Sequence, residues 1–218
     1  LASCLRHELQ ILRALAKYPA VVRYIDGGEN EKGICIFQEY CGGGDLEHFL
    51  RKTGRIDEAL ARRLFAQLLD GLEVLQQEGI LHRDLKPANL LLTALPEQGG
   101  VLKLGDFGFA IRAPSSVEVI GTPIYMAPER LTQARYDGSA ELWAAGVILY
   151  EMLEGKHPFA LPQSGEQLLQ DSVLSLYRRS REGVNFADSE LSLEVQDLIA
   201  GLTAPMVEER LSLPDSKA

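Results

Sequence analysis

One short run of residues constrains this chain more than any other part of its sequence. It reads ILHRDLKPANLLL at positions 80–92 and holds Asp84, Lys86 and Asn89 between apolar flanks. Charged side chains are rarely buried unless they have partners. One interpretation is a polar turn between a helix and a strand, and the other is a site that needs these groups close together.

A second run, LKLGDFGFA at positions 102–110, carries an acid where a buried strand would end. Asp106 lies between Gly105 and Phe107, and Gly108 follows. Because an unpaired charge is costly to bury, we expect Asp106 to have a partner in the folded chain.

Length and composition indicate a globular chain. Its 218 residues suit one domain or a closely joined pair. The net charge of −9 argues against a general binder of nucleic acids or anionic membranes. The longest apolar run, residues 142–150, is far shorter than the roughly 20 residues that a membrane helix needs, so we expect no membrane span.

The cysteines Cys4, Cys35 and Cys41 have no spacing that is typical of a disulfide framework or a zinc site. A reducing, cytoplasmic environment fits this pattern best. The chain starts at Leu1 and shows no charged-then-apolar leader, so we expect it to be a fragment of a longer protein.

Hydrophobic spacing predicts a small segment of mixed structure at the N-terminus. Apolar residues at helical spacing predict a helix from Ser3 to Ala16, and two strand-like runs around a turn predict a hairpin over residues 21–40. Residues 41–46, CGGGDL, predict a flexible connection, since three glycines interrupt the strand pattern.

The remainder of the sequence predicts a larger, mostly helical segment. Asp57 can cap a long helix that ends at Gly79. Short strands are expected at residues 90–92 and 101–104. Further helices are expected over residues 138–153, 164–176 and 192–202.

The first two runs match the catalytic-loop pattern HRDLxxxN and the DFG turn of protein kinases, in the same order. GTPIYMAPE at 121–129 and ELWAAGVILYEML at 141–153 extend the match over nearly the whole chain. The chain therefore resembles the protein kinases, and Pro87 after the loop lysine is typical of the Ser/Thr group. The runs CGGGDLEHFL, GILHRDLKPANLLL and DFGFA are most similar to the autophagy-initiating kinases, although a calcium-regulated or polarity kinase remains an alternative.

This resemblance implies an α+β, protein-kinase-like fold of two lobes. Residues 1–40 would be the remainder of the N-terminal lobe, residues 41–46 the hinge, and residues 47–218 the helical C-terminal lobe. The family's glycine-rich loop and strand lysine should precede the first helix and are not in the sequence. Because those groups position the ATP phosphates, we expect residues 1–218 alone to be inactive.

The resemblance also implies catalytic and magnesium-binding residues. Asp84 would orient or deprotonate the substrate hydroxyl, and Lys86 would offset charge on the transferred phosphate. Asn89 and Asp106 would hold Mg²⁺ against the ATP phosphates, because this hard cation prefers oxygen ligands.

The nucleotide site would draw on residues of both lobes. Backbone groups at Glu39 and Cys41 would bind the adenine, Leu91 would line the same site, and Asp45 would accept from the ribose hydroxyls. Asp45 could at the same time cap a helix. Glu8 occupies the place of the glutamate that pairs with the family's strand lysine, and its alternative interpretation is a solvated carboxylate.

Arg83 would bind the activation segment, because the arginine at this place in many kinases pairs with a phosphate on that segment. Glu118 occupies the position of the phosphorylated threonine, so its carboxylate could partly replace that phosphate. The alternative is a phosphate on Ser115 or Ser116. Thr122 is expected to hydrogen-bond the catalytic aspartate and lysine from the substrate pocket.

Three further residues are expected to be structural. Glu129 and Arg210 would form the buried ion pair beneath the substrate platform. Glu141 replaces the aspartate that normally accepts hydrogen bonds from the catalytic loop.

Ala88 replaces an acid that many kinases of basic substrates carry, so nothing in the sequence supports a preference for basic substrates.

The expected activity is transfer of the γ-phosphate of ATP, with Mg²⁺, to Ser and Thr hydroxyls of protein substrates. Autophagy or related signalling, with regulatory protein partners, is the expected setting. The alternative is a kinase-like module that binds a partner without catalysis. A chain released from catalysis has no chemical reason to keep the complete set of catalytic and magnesium-binding residues, which favours the enzyme.

Overall fold

The computed structural model describes residues 2–31, 33–159, 169–187 and 189–217. Helices and small antiparallel sheets alternate along these residues, which gives the α+β class that the sequence predicts. Among the described helices, none combines the length and the hydrophobicity needed to cross a membrane.

The N-terminal helix and hairpin form where the sequence predicts them. Helix α1 (Ala2–Leu15) buries Leu12 and Leu15 completely. Strands β1 (Tyr24–Asn30) and β2 (Gly33–Gln38) then pair in antiparallel register. This segment therefore contributes one apolar helix face to the core of the molecule.

The glycine-rich connection contains a short strand that the sequence does not predict. Strand β3 (Gly44–Asp45) pairs with β5 (Leu90–Leu92). A Cβ atom added at Gly43 would lie 2.8 Å from the Cβ of Leu92 and would clash with the Ala94 carbonyl. Gly43 therefore allows the chain to pack closely against the residues of and after β5, and the hinge role of residues 41–46 stays a prediction.

Two helices follow this connection, α2 (Leu46–Thr53) and α3 (Glu58–Gln77). Asp57 caps α3 as predicted, since its side chain accepts a 2.8 Å hydrogen bond from Leu60 N. The chain leaves the helix at Gly79, whose φ of +64° suits glycine.

Short strands bring the two kinase-like runs together. Strand β4 (Ile80–Leu81) pairs with β7 (Ile111–Arg112), and β5 pairs with β6 (Leu102–Leu104). Both pairings are antiparallel. The loop between β4 and β5 and the turn between β6 and β7 therefore lie next to each other, at the same end of these strands.

The C-terminal half is built around α5 (Ser139–Glu154), which is buried on almost every side. Trp143 is fully buried in it, and Gly146 allows close approach of Leu202, whose Cβ would lie 2.8 Å from an added Cβ. Of the helix predicted over residues 164–176, residues 164–168 lie outside the described residues. The surrounding helices are α4 (Pro128–Leu131), α6 (Leu169–Glu182), α7 (Leu193–Leu202) and α8 (Leu213–Lys217).

Candidate active site

The loop between β4 and β5 presents a buried carboxylate, Asp84, that is held by several hydrogen bonds and one ion pair. Asp84 Oδ1 accepts from both Thr122 N and Thr122 Oγ1 at 2.8 Å. Lys86 Nζ lies 2.8 Å from Asp84 Oδ2 and donates to Thr122 Oγ1 at 2.9 Å. The structure thus brings together the aspartate, the lysine and the threonine that the sequence placed in one site.

These contacts set the charge of Asp84. Burial alone would raise the pKa of its carboxyl group. The hydrogen bonds from Lys86 and Thr122 outweigh burial and hold the pKa below its ordinary value. Asp84 is therefore a carboxylate at neutral pH, and it can orient or accept the proton of a hydroxyl group.

Asn89 lies directly beside this carboxylate. Its amide nitrogen donates to Asp84 O at 2.8 Å and to Asp84 Oδ2 at 3.2 Å. Because the nitrogen is bound to Asp84, the amide oxygen is the group that can serve a cation. Asn89 therefore offers one oxygen to a hard metal ion such as Mg²⁺.

Asp106 follows β6 at a sharp turn next to Asn89. Gly105 N donates to Asn89 O at 2.9 Å, which fixes the residue before Asp106 against the loop. Asp106 has a φ of +54° and is exposed. Its carboxylate is thus available to a cation, and the pair of Asn89 and Asp106 supplies the oxygen donors that Mg²⁺ prefers.

A buried ring holds this turn in place. Phe107 is fully buried and its ring centroid lies 5.0 Å from that of His82. His82 Nε2 donates to Gly105 O at 2.9 Å. The core therefore fixes the two residues that flank Asp106.

Glu8 on α1 reaches the same turn. A Cβ atom added at Gly108 would lie 3.9 Å from Glu8 Oε2. Burial, followed by the nearby charge of Asp106, raises the pKa of Glu8. Glu8 is half-buried and faces this turn, and its role as the partner of a strand lysine stays a prediction.

The residues expected at the nucleotide site surround β5. Leu91 is half-buried and would lie 2.9 Å, through its Cδ1, from a Cβ added at Gly105. Asp45 caps α2 by accepting from His48 N at 2.7 Å, which confirms the capping interpretation. The carbonyl of Cys41 accepts from Gly44 N at 3.1 Å.

Glu39, also expected at the nucleotide site, directs its side chain toward β6. Its Oε1 lies 2.5 Å from Lys103 Nζ and accepts from Arg23 N at 2.6 Å. One oxygen of the carboxylate is thus held by two protein partners, and the backbone of Glu39 is the part expected to bind a nucleotide.

Arg83 connects the catalytic loop to the activation segment. Its Nε donates to Phe109 O at 2.6 Å, and its Nη1 binds Glu118 Oε2 and lies 3.4 Å from Ser116 Oγ. The structure therefore places both Glu118 and Ser116 at this guanidinium. Ser115 is directed elsewhere, since its hydroxyl accepts from Arg135 Nη1 at 2.8 Å.

A close backbone approach keeps this segment on the catalytic loop. Gly121 has a φ of +103°, and a Cβ added there would clash with the carbonyl of Arg83. The same added atom would lie 3.1 Å from Asp84 Oδ1. Gly121 thus permits Thr122 to reach the carboxylate of Asp84.

Glu141 lies beneath the catalytic loop. It is buried, and its Oε1 accepts from Arg83 N at 3.0 Å, whereas Oε2 has no hydrogen-bond partner among the described residues. The longer side chain therefore still reaches the loop that the family's aspartate would serve, but it uses one oxygen for that purpose.

The expected ion pair between Glu129 and Arg210 is present and bidentate. Arg210 Nη1 lies 2.7 Å from Glu129 Oε1, and Nη2 lies 3.1 Å from Oε2. Arg210 also donates to Ser139 O at 3.1 Å. The pair joins the end of the activation segment to the start of α5.

Two basic side chains of this region were not predicted from the sequence to have a role in it. Arg130 Nη2 donates to Arg83 O at 2.8 Å and to Ile120 O at 2.5 Å, so it fixes the activation segment to the catalytic loop. Lys103 binds Glu39 from the middle of β6. A signal was present for Lys103, because a lysine inside the apolar strand LKL needs a partner if it is buried.

Comparison with known proteins agrees with this geometry. The family model described as "Protein kinase domain" matches residues 2–218. "Serine/threonine-protein kinase ATG1b" of Arabidopsis thaliana is 39% identical over 219 residues, which cover 99% of this chain and 30% of that protein. "Serine/threonine-protein kinase ATG1a" of the same plant is 43% identical over 155 residues, which cover 70% of this chain and 24% of that protein.

A kinase from an animal is also similar to this chain. "Serine/threonine-protein kinase ULK3" of Rattus norvegicus is 35% identical over 214 residues, which cover 95% of this chain and 43% of that protein. The chain thus spans less than half the length of each of these relatives. Since the family match extends over nearly all of its residues, the chain belongs to the protein kinase family.

Proposed function

We propose that this chain is the catalytic part of a protein Ser/Thr kinase, which transfers the γ-phosphate of ATP to Ser and Thr hydroxyls of protein substrates. The observation that carries the proposal is the contact set of Asp84. It combines a carboxylate with a lowered pKa, an ammonium group 2.8 Å away, and a threonine from the activation segment. Lys86 remains partly exposed while it contacts the buried Asp84, so its charge is also accessible to a group that enters from solvent.

Each residue has a role that follows from its position. Asp84 orients the substrate hydroxyl and accepts its proton. Lys86, whose side chain is 25% exposed, neutralises negative charge that enters the site. Asn89 and Asp106 would hold Mg²⁺ through one amide oxygen and one carboxylate.

The residues present fit the chemistry of phosphoryl transfer. When bound, MgATP supplies the phosphoryl group, in a reaction that depends mainly on positioning and charge neutralisation. The backbone near Glu39 and Cys41, together with Leu91, would bind the adenine. Asp45 keeps oxygen lone pairs for the ribose, because its cap uses one hydrogen bond.

The setting of the activity is inferred from resemblance. The similarity to ATG1 and ULK3 proteins supports a role in autophagy or related signalling in the cytoplasm. Protein substrates and regulatory protein partners belong to the same proposal. A kinase-like module that only binds partners is the rival, and the test below separates the two.

The test measures magnesium-dependent transfer of phosphate from labelled ATP to a mixture of Ser/Thr peptides by the full-length protein. Asp84→Asn removes the proton acceptor, and we expect the rate to fall by about 10²–10⁴-fold. Asp70→Asn makes the same chemical change on the exposed face of α3 and should leave the rate intact. Transfer that survives Asp84→Asn, or a wild-type protein that transfers no phosphate, would contradict the proposal.

A further inference from the structure

A mostly buried ion pair connects the chain before α2 with strand β6. Lys103 Nζ lies 2.5 Å from Glu39 Oε1, and the two side chains are only 14% and 18% exposed. Burial alone would raise the pKa of Glu39, yet the bonds from Lys103 and Arg23 N hold that pKa below its ordinary value. Glu39 is thus a carboxylate that depends on these two donors.

The same contacts involve the segment that joins α1 to β1. Glu39 N donates to Arg23 O at 2.9 Å, and Glu39 Oε1 accepts from Arg23 N at 2.6 Å. On the other side, Val22 N donates to Leu104 O at 2.8 Å, and Leu104 N donates to Ala20 O at 2.9 Å. Residues 20–23 therefore lie between Glu39 and β6, and both are bonded to them.

Lys103 lies at the centre of this arrangement. Its backbone is paired with Leu91 of β5, and it precedes Asp106 by three residues. A change in the position of Glu39 relative to Lys103 would therefore change the distance between the segment expected to bind adenine and the carboxylate expected to bind Mg²⁺.

We propose that Lys103 is a positioning residue of the nucleotide site, which fixes the adenine-binding segment around Glu39 relative to β5, β6 and Asp106. The proposal rests on the kinase function proposed above. Without the ammonium group, Glu39 would lose its ion-pair partner in a mostly buried place and would keep the bond from Arg23 N and the nearby charge of Arg23. A carboxylate that has lost its main partner tends to move toward water. The affinity for ATP would then fall, while the groups that perform the transfer would remain.

The experiment compares four variants of the full-length protein with wild type. Lys103→Met removes the charge at similar length, Lys103→Arg keeps it, and Lys103→Met with Glu39→Gln removes both charges. Lys217→Met is the matched control, because it breaks an ion pair with Asp70 on a distant exposed surface. The measurements are KM for ATP, KM for a peptide substrate, kcat, and hydrogen exchange of the amides in residues 39–45.

We expect Lys103→Met to raise KM for ATP about tenfold, to change kcat less, and to leave KM for the peptide unchanged. Amides of residues 39–45 should exchange faster in this variant than in Lys217→Met. Lys103→Arg should restore KM, and Glu39→Gln should lower the KM of Lys103→Met by removing the uncompensated charge. A pattern in which all kinetic constants fall together in proportion to stability would overturn the positioning role.

The failure of this proposal is distinguishable from the failure of the kinase function. If wild type transfers no phosphate, the kinase function fails, and the exchange rates of residues 39–45 still decide whether Lys103 fixes that segment. If wild type is active but Lys103→Met and Lys217→Met have equal KM values and equal exchange rates, the positioning role alone is wrong.

Discussion

The buried guanidinium group of Arg83 needs a negatively charged partner. Its side chain is only 6% exposed, and its φ of +70° directs it into the activation segment. Glu118, at 63% exposed, supplies the negative charge by direct contact. A carboxylate carries one charge where a phosphate carries about 1.5 to 2, so it can replace a phosphate in part.

The first prediction concerns this pair. Glu118→Gln keeps the shape and removes the charge, and we expect it to lower the rate of the phosphatase-treated enzyme about fivefold, which corresponds to about 1 kcal/mol for a pair with one exposed member. Steady-state phosphorylation of a peptide measures the effect. The double variant Ser115→Ala with Ser116→Ala is the control, and it should retain the treated enzyme's rate.

Two outcomes would contradict this prediction. Loss of wild-type activity on phosphatase treatment would indicate that a phosphate is required. An unchanged rate for treated Glu118→Gln would indicate that the carboxylate has no function at Arg83. In the first case Ser116 would be the candidate, because its hydroxyl is already 3.4 Å from Arg83 Nη1.

At the scale of elements, the start of α5 supports the catalytic loop from below. Glu141 lies in the first turn of the helix and reaches the backbone of Arg83 with one oxygen. Its second oxygen is buried without a partner among the described residues. A buried acceptor with no donor costs free energy, so the additional methylene of Glu141 is tolerated rather than neutral.

The second prediction follows from this geometry. Glu141→Gln removes the charge that strengthens the hydrogen bond from Arg83 N, and it buries an amide N–H₂ group where Oε2 now has no partner among the described residues. We expect it to lower the free energy of unfolding by about 1–3 kcal/mol and to reduce kcat. Glu141→Asp should have a milder effect. Urea unfolding and steady-state kinetics on both variants check this, and a Gln variant that is silent in both would make Glu141 an ordinary buried acid.

Some of the helices, strands and contacts could be predicted from the sequence, and others could not. Helix α3 was predicted because Asp57 and a leucine stripe mark it locally, and the contacts of Asp84, Lys86 and Thr122 were expected from motifs of fixed spacing. The paired β3 was not expected, because a glycine run reads as flexible until the strand that it packs against is known. Arg130 and Lys103 were missed for a similar reason, since their partners are distant in sequence.

At the scale of the whole molecule, His157 joins the segment around Tyr125 to the core. Its ring packs edge-on against Tyr125, at 5.3 Å between centroids, and lies 6.1 Å from the ring of Phe159. Phe159 in turn stacks on Trp143 at 5.5 Å. Burial lowers the pKa of His157 to about 4, so the imidazole is neutral in the folded protein at pH 7.

The third prediction is a loss of stability in mild acid. His157 has a pKa near 6.5 in the unfolded chain and about 4 in the folded chain, so the unfolded chain binds the proton more readily. The contribution of His157 to the free energy of unfolding is therefore fully present above pH 6.5 and decreases as the pH falls toward 4. Between pH 7 and pH 5 this group should cost about 2 kcal/mol of unfolding free energy. Urea titrations of wild type and His157→Gln measure it.

The control for this prediction is internal. His157→Gln should be less stable than wild type at pH 7 through altered packing, but its stability should fall less between pH 7 and pH 5. Parallel pH dependences for the two proteins would show that His157 does not titrate differently on folding.

The close approach at Gly121 has a practical consequence. Because an added Cβ would clash with the Arg83 carbonyl, Gly121→Ala should act as a wedge that lifts Thr122 off Asp84 while every charged group stays in the protein. We expect a folded variant whose thermal midpoint is lowered, because alanine is strained at this φ, and whose transfer rate falls at least about tenfold. A wild-type rate would contradict this. Measured side by side in binding and transfer assays, such a variant would separate any binding of a partner from the transfer of phosphate.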